Sequence, residues 1–143
     1  MNTADQLLQV FNDNFVAYYR SHAAHVNITG RNFRSDHKLL EGVYTRRQDQ
    51  IDVLGELLRT LQETMPTDLF EILSNSDLPS DAIEGTADEL LRMVMADLEQ
   101  LRDCYIELED VAEEDDHEEI SNYAQEQILD LNKSLWMLRS TLD

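Results

Sequence analysis

Met65-Pro66-Thr67-Asp68-Leu69-Phe70-Glu71-Ile72-Leu73-Ser74-Asn75-Ser76-Asp77-Leu78-Pro79-Ser80-Asp81-Ala82-Ile83-Glu84-Gly85 is the stretch that decides the fold. It lies between two long stretches with helical periodicity. Both prolines of the chain fall in it. At about twenty residues it is too long for the tight turn that joins neighbouring antiparallel helices. Its own apolar piece, Leu69 to Leu73, predicts a short helix inside it. A chain that needs such a segment is not an up-down-up-down bundle with short loops. It returns along the bundle before its third long helix begins.

Four long helices flank this segment. The first opens at Thr3-Ala4-Asp5-Gln6, read as a capping box. Leu7, Val10, Phe11, Phe15, Tyr18 and His22 follow the 3.6-residue period to about Asn27, where Gly30 breaks it. The second runs from about Ser35 to about Thr64 on Leu40, Val43, Ile51, Leu54, Leu58 and Leu61, with Pro66 as its stop. Thr86-Ala87-Asp88-Glu89 predicts the capping box of the third, whose face is Leu90, Val94, Leu98, Leu101, Tyr105 and Leu108. The fourth starts near Asp116 and continues through Ile120, Tyr123, Ile128, Leu131, Leu135 and Leu138. The expectation is an all-α four-helix bundle, residues 1–143 as a single domain.

Composition narrows the function. The 143 residues carry a formal charge of −19, from 30 acidic and 11 basic side chains, and only two of the eleven are lysines. Phosphate backbones require Lys and Arg, so direct DNA binding is not expected. At 42% hydrophobic residues the chain has a core and is no disordered acidic tail. The single cysteine, Cys104, excludes an intrachain disulfide and fits a reducing compartment. No apolar run is long enough to span a membrane, and the opening residues lack the layout of a secretion signal, so a cytoplasmic protein is expected. The charge points to cations.

The second helix shows how cations could be held. Taking His37 as zero and about 100° per residue, Glu41 falls at about 40°, Asp52 at about 60° and Glu56 at about 100°, all on one stripe. His37/Glu41 and Asp52/Glu56 are two i,i+4 pairs, separated by about 16 Å at roughly 1.5 Å per residue. One metal cannot reach both on the same helix. Two copies of the helix can solve this, because the four positions are symmetric about the point between Arg46 and Arg47. An antiparallel pair about a two-fold axis there sets His37 opposite Glu56 of the second copy, and Glu41 opposite its Asp52. Carboxylates with imidazole suit iron(II), with manganese or zinc as competitors. Acidic residues on a helix are ordinarily just solvated, and spacing alone leaves both readings open. His25 ends the first helix beside the start of the second, where a histidine is ordinarily a cap.

The residues His22-x-x-His25-Val26-Asn27-x-x-Gly30-x-x-Phe33, His37-x3-Glu41-x2-Tyr44, Asp52-x3-Glu56 and Leu135-Trp136 resemble those of the Dps family, the mini-ferritins of bacteria and archaea. The likeness spans the whole chain, crossover included, and implies a ferritin-like bundle. It implies a ferroxidase centre with His25, His37 and Glu41 from one subunit and Asp52 and Glu56 from its two-fold mate. It further implies a dodecameric shell that oxidises iron(II), with hydrogen peroxide in preference to oxygen, and stores ferric iron. The rival readings are a shell that protects or condenses DNA and a non-catalytic structural shell.

Several positions depart from that pattern. Val26 stands where most members have Trp, which bears on the oxidant. Glu41 replaces a common Asp and keeps the ligand chemistry. No lysine-rich tail is present. The acidic run Asp115, Asp116, Glu118 and Glu119 resembles the carboxylates that line an iron entry pore at a three-fold axis, although Asn122 stands where many members have Asp. Glu114-x-x-His117 is a lone E-x-x-H, insufficient for a conventional intrasubunit di-iron site. Arg31, Arg34, Lys38, Arg46 and Arg47 form the basic cluster, read as subunit contacts or an exposed patch.

Overall fold

The computed structural model describes residues 2–143. The helices are α1 (Thr3–Asn27), α2 (Phe33–Thr60), α3 (Leu69–Asn75), α4 (Ala87–Glu114) and α5 (Glu118–Leu142). Among the described residues there is no strand. The fold is the all-α, ferritin-like four-helix bundle the crossover predicts, with α3 as the short helix between the second and third long ones. Helix α1 packs on both α2 and α4, α4 packs on α5, and α3 lies against α1. The Cβ of Ala87, at the start of α4, is 3.8 Å from where a Cβ on Gly30 would stand, just before α2. Helices α2 and α4 therefore begin at the same end, and the crossover carries the chain back between them. No described helix is long and apolar enough to cross a membrane.

The helix ends are set by local hydrogen bonds, and four differ from the sequence reading. The α1 cap is Asn2, one residue before Thr3. The Asn2 side chain accepts from the Asp5 amide (2.9 Å), and the Asp5 carboxylate accepts from the Asn2 amide (3.3 Å). Thr3 is spent elsewhere, since its amide (2.9 Å) and hydroxyl (2.7 Å) both donate to Asp115 at the end of α4. Those two donors hold the Asp115 carboxyl below its ordinary range.

Helix α2 begins two residues earlier than predicted and stops well before Pro66. Gln62 is left-handed, and the Glu63 amide reaches back to the Leu58 carbonyl (3.0 Å), which closes the helix in a Schellman turn. Asp116 plays the same part for α4, with the His117 amide on the Ala112 carbonyl (2.8 Å). It is therefore the stop of one helix and not the start of the next. The Thr86 box is as predicted: its hydroxyl accepts from the Glu89 amide (3.2 Å) and Glu89 accepts from the Thr86 amide (3.0 Å).

Apolar stripes of the four long helices meet in one core that includes Leu7, Phe11, Leu40, Leu54, Leu98, Leu101, Leu131 and Leu135. Polar side chains cross this core in defined places. Arg20 Nε donates to Asp97 at 2.7 Å, with both side chains buried. Burial pushes the Asp97 carboxyl upward even against the adjacent guanidinium. Arg20 Nη1 also donates to the Asp81 carbonyl (2.9 Å), tying the crossover to α1. A second tie lies at Asp13, whose carboxylate accepts from the Ser76 hydroxyl and the Asp77 amide, each at 2.8 Å. Arg47 is 1% exposed and donates to Asp130 at 2.8 Å, and Arg46 meets the same carboxylate at 3.2 Å. The basic cluster is thereby divided. Arg47 belongs to the core, Arg46 is paired to α5, and Lys38 sits 3.4 Å from Glu41.

Candidate metal centre

The site is made by the turn between α1 and α2. The Ile28 side chain is buried and its amide closes the last turn of α1 on Ala24. Gly30 then takes φ 121°, a conformation that a side chain would strain, and the chain reverses. The first turns of α2 come to lie beside the last turn of α1, and two histidines meet.

Their contact is reciprocal. His25 Nδ1 is 2.7 Å from the His37 carbonyl, and His37 Nδ1 is 2.8 Å from the His25 carbonyl. A carbonyl oxygen only accepts, so each Nδ1 must carry its hydrogen. In the neutral rings each Nε2 is then an open lone pair. Such a hydrogen bond on the far nitrogen is how metal-binding imidazoles are oriented. The rings are stacked at 3.8 Å and 17°, and Phe33 covers His37 at 5.0 Å. His25 is buried and His37 half-buried. Glu41, one turn beyond His37, is half-exposed.

Asp52 and Glu56 lie further along α2, both exposed. Asp52, as a hydrogen-bonding neighbour of the protonated form and as a like charge, raises the Glu56 carboxyl above its ordinary range. The predicted ligands thus fall into two groups. His25, His37 and Glu41 cluster at one end of α2, while Asp52 and Glu56 pair nearer its other end. Among the described residues, no three His, Cys, Asp or Glu side chains of the one chain converge to hold a metal ion.

The acidic run near α5 also divides. Asp116 and Glu118 line a recess with Glu113, Ser121, Asn122 and Gln125. Asp115 instead faces Thr3, and Glu119 stands 3.8 Å from His117.

Sequence patterning passed over an aromatic cluster beside the histidines. Tyr18 and His22 read as members of an apolar stripe, and Tyr44 as a motif position. The Tyr18 hydroxyl is 2.9 Å from His22 Nδ1. The His22 ring stacks on Tyr44 at 3.9 Å and 6°, and Tyr44 lies 4.9 Å from His25. The i,i+4 spacing of Tyr18 and His22 was the available signal.

A bundle with this crossover and imidazoles presented at its turn defines a class of protein, and the chain belongs to it: the ferritin-like family, whose domain matches residues 4–143. The DNA protection during starvation protein of Helicobacter pylori is 26% identical over 143 residues, 99% of each chain. A Dps protein from Bacillus brevis superposes with a TM-score of 0.93 at 26% identity, over 99% of this chain and 95% of that one. Dps from Listeria innocua gives 0.94 at 22% identity, over 99% and 95%, a likeness of fold. Within the ferritin-like family, this is a Dps chain.

Proposed function

We propose that the protein is a mini-ferritin that oxidises iron(II) and stores the ferric product in a hollow shell of twelve copies built from two-fold dimers. The observation that carries this reading is the pair of Nε2 atoms left open by the reciprocal His25–His37 contact. It is joined by a carboxylate pair at the mirror-related positions of the same helix. Antiparallel pairing of two α2 helices brings His25, His37 and Glu41 of one copy to Asp52 and Glu56 of the other. Each dimer then has two equivalent centres.

The roles follow from ligand chemistry. The imidazoles bind iron(II), and the carboxylates of Glu41, Asp52 and Glu56 add hard, negative oxygens that favour iron(III). Two iron(II) ions each give one electron to hydrogen peroxide, whose O–O bond breaks. With two protons this yields two iron(III) and two waters. Oxygen is the slower alternative oxidant. Zinc or manganese compete for the same ligands. Glu118, with Asp116 and Glu113, forms the mouth through which iron(II) is drawn in by charge. Asp115 and Glu119 stand at its edge.

Net charge of −19 argues for protecting DNA without touching it, by removing iron(II) and peroxide together. The cytoplasm, where iron(II) and a free thiol persist, is the compartment proposed. The test is light scattering on the purified protein with iron(II) oxidation followed at the ferric absorbance. The expected result is a particle near twelve chain masses and peroxide-driven oxidation well above the buffer rate. Oxidation no faster than buffer rejects the ferroxidase reading. A gel shift with duplex DNA at low salt would reject the charge-based one.

A further inference from the structure

A recess of about 310 Å³ lies where the first turn of α2 meets the last turn of α5. We propose that it binds a small free amine of the polyamine kind. One primary ammonium group sits against Asp36, and the alkyl stem lies over Leu39, Met137 and the Trp136 ring.

Asp36 is what calls for a cation. It is 3% exposed, and its Oδ1 is buried without a hydrogen-bond partner. Among the described residues it has no ion-pair partner. Desolvation works against its charge, and so does the Asp88 carboxylate at the start of α4. Buried charges are ordinarily paired, so a carboxylate left this way on the wall of a recess is matched by a cation from outside the chain. The neighbouring hydroxyls agree with it. Ser35 donates to the Asn32 carbonyl (3.0 Å) and Thr141 to the Met137 carbonyl (2.8 Å). With those hydrogens spent, both oxygens are left as acceptors. The last carbonyls of α5 lack intrahelical partners and stand at the negative end of the helix, where a cation is favoured. An ammonium ion supplies three N–H donors to such a set.

The walls select the kind of cation. Leu39, Met137 and Trp136 are apolar, and Trp136 is 57% exposed. A hydrated metal ion prefers a cage of oxygens to such a surface. An alkyl stem instead leaves water on it, and an ammonium group near an indole face is attracted to the ring. A second copy of the chain is a poor source of the ammonium. The chain has only two lysines, Lys38 and Lys133, and Lys38 lies 3.4 Å from Glu41. The net charge of −19 meanwhile concentrates free polycations around the protein.

The experiment titrates the assembled, iron-free protein with n-butylammonium at about 0.15 M salt, which screens the exposed acids. Trp136 is the one tryptophan of the chain, so its fluorescence reads the recess directly. A saturable change is expected, with one amine bound per chain by calorimetry and diaminobutane binding at least as tightly. Tetramethylammonium has no N–H, magnesium has no stem and n-butanol has no charge, and each should bind at least about tenfold more weakly. Asp36→Asn should lose about tenfold or more in affinity. Butylammonium should raise the melting temperature of the unmodified protein and leave that of Asp36→Asn unchanged. Trp136→Ala, at an exposed position, should bind several-fold more weakly by calorimetry, and it serves if Asp36→Asn does not fold. No saturable binding, unweakened binding in these variants, or magnesium bound as tightly as the amine overturns the proposal. So does binding that appears only in Lys133→Gln, which would put a lysine of a second copy in the recess.

Discussion

Alanine at Asp52 or at Glu56 is expected to slow peroxide-driven iron(II) oxidation by a factor on the order of 100, with helix content and assembly unchanged. Both side chains are exposed on α2, beside one another. Surface positions of this kind contribute about 0.5 kcal/mol or less to folding. A large kinetic effect without a stability effect would then place them in the chemistry. Removing either one also removes the like charge beside the other, so the two single losses will not add in the double variant. Stopped-flow absorbance of the ferric product, beside circular dichroism and light scattering, reads all three quantities. Unchanged rates in both variants would remove the carboxylate half of the centre.

The largest stability effect is expected at the buried pair of Arg20 and Asp97. Asp97→Ala should cost about 3–5 kcal/mol, since it leaves the Arg20 guanidinium in the core without its carboxylate. The cost is that of the orphaned charge. The double variant Arg20→Met/Asp97→Leu should accordingly recover most of it, because replacing a buried pair by apolar groups is often neutral. Arg20 also holds the Asp81 carbonyl, so the double variant should still loosen the crossover. Urea denaturation at one fixed protein concentration measures the first effect, and hydrogen exchange of residues near Asp81 measures the second. A single variant as stable as the unmodified protein would contradict this view of the core.

The architecture was legible in the sequence because its determinants are local or periodic. The spacing of apolar residues marks the long helices, and a twenty-residue gap bearing Leu69 to Leu73 cannot be a tight turn. The ends were less legible for a physical reason. A helix stops where some backbone group finds another partner, and those partners were Asp115 for Thr3 and left-handed turns at Gln62 and Asp116. Residue types with weak propensity for that conformation gave no warning, whereas Pro66 suggested a stop that the chain had already made.

The same division holds for the centre. His37, Glu41, Asp52 and Glu56 could be placed on one stripe from helix geometry alone. The His25–His37 contact could not, because it depends on the turn at Gly30 and on which ring nitrogen faces a carbonyl. The burial of Arg47 was equally hidden. Five basic residues near one another in sequence read as a surface cluster, but 3.6-residue geometry points Arg47 inward, toward Asp130. Val26 is exposed where the family pattern has an aromatic residue, and the aromatic rings lie instead at Tyr18, His22 and Tyr44.

Each iron centre, on the function proposed above, is shared between two copies, and subunit mixing reads that sharing out. One protein carries His25→Ala/His37→Ala and the other Asp52→Ala/Glu56→Ala. Neither alone has an intact centre. When they are dissociated, mixed in equal amounts and reassembled, half of the two-fold dimers contain one chain of each kind. Every such dimer has one centre with all its ligands and one with none of the altered ligands intact. Iron(II) oxidation should return to about a quarter of the unmodified rate. Mixed shells, verified by mass spectrometry, that stay as inactive as either parent would contradict a shared centre.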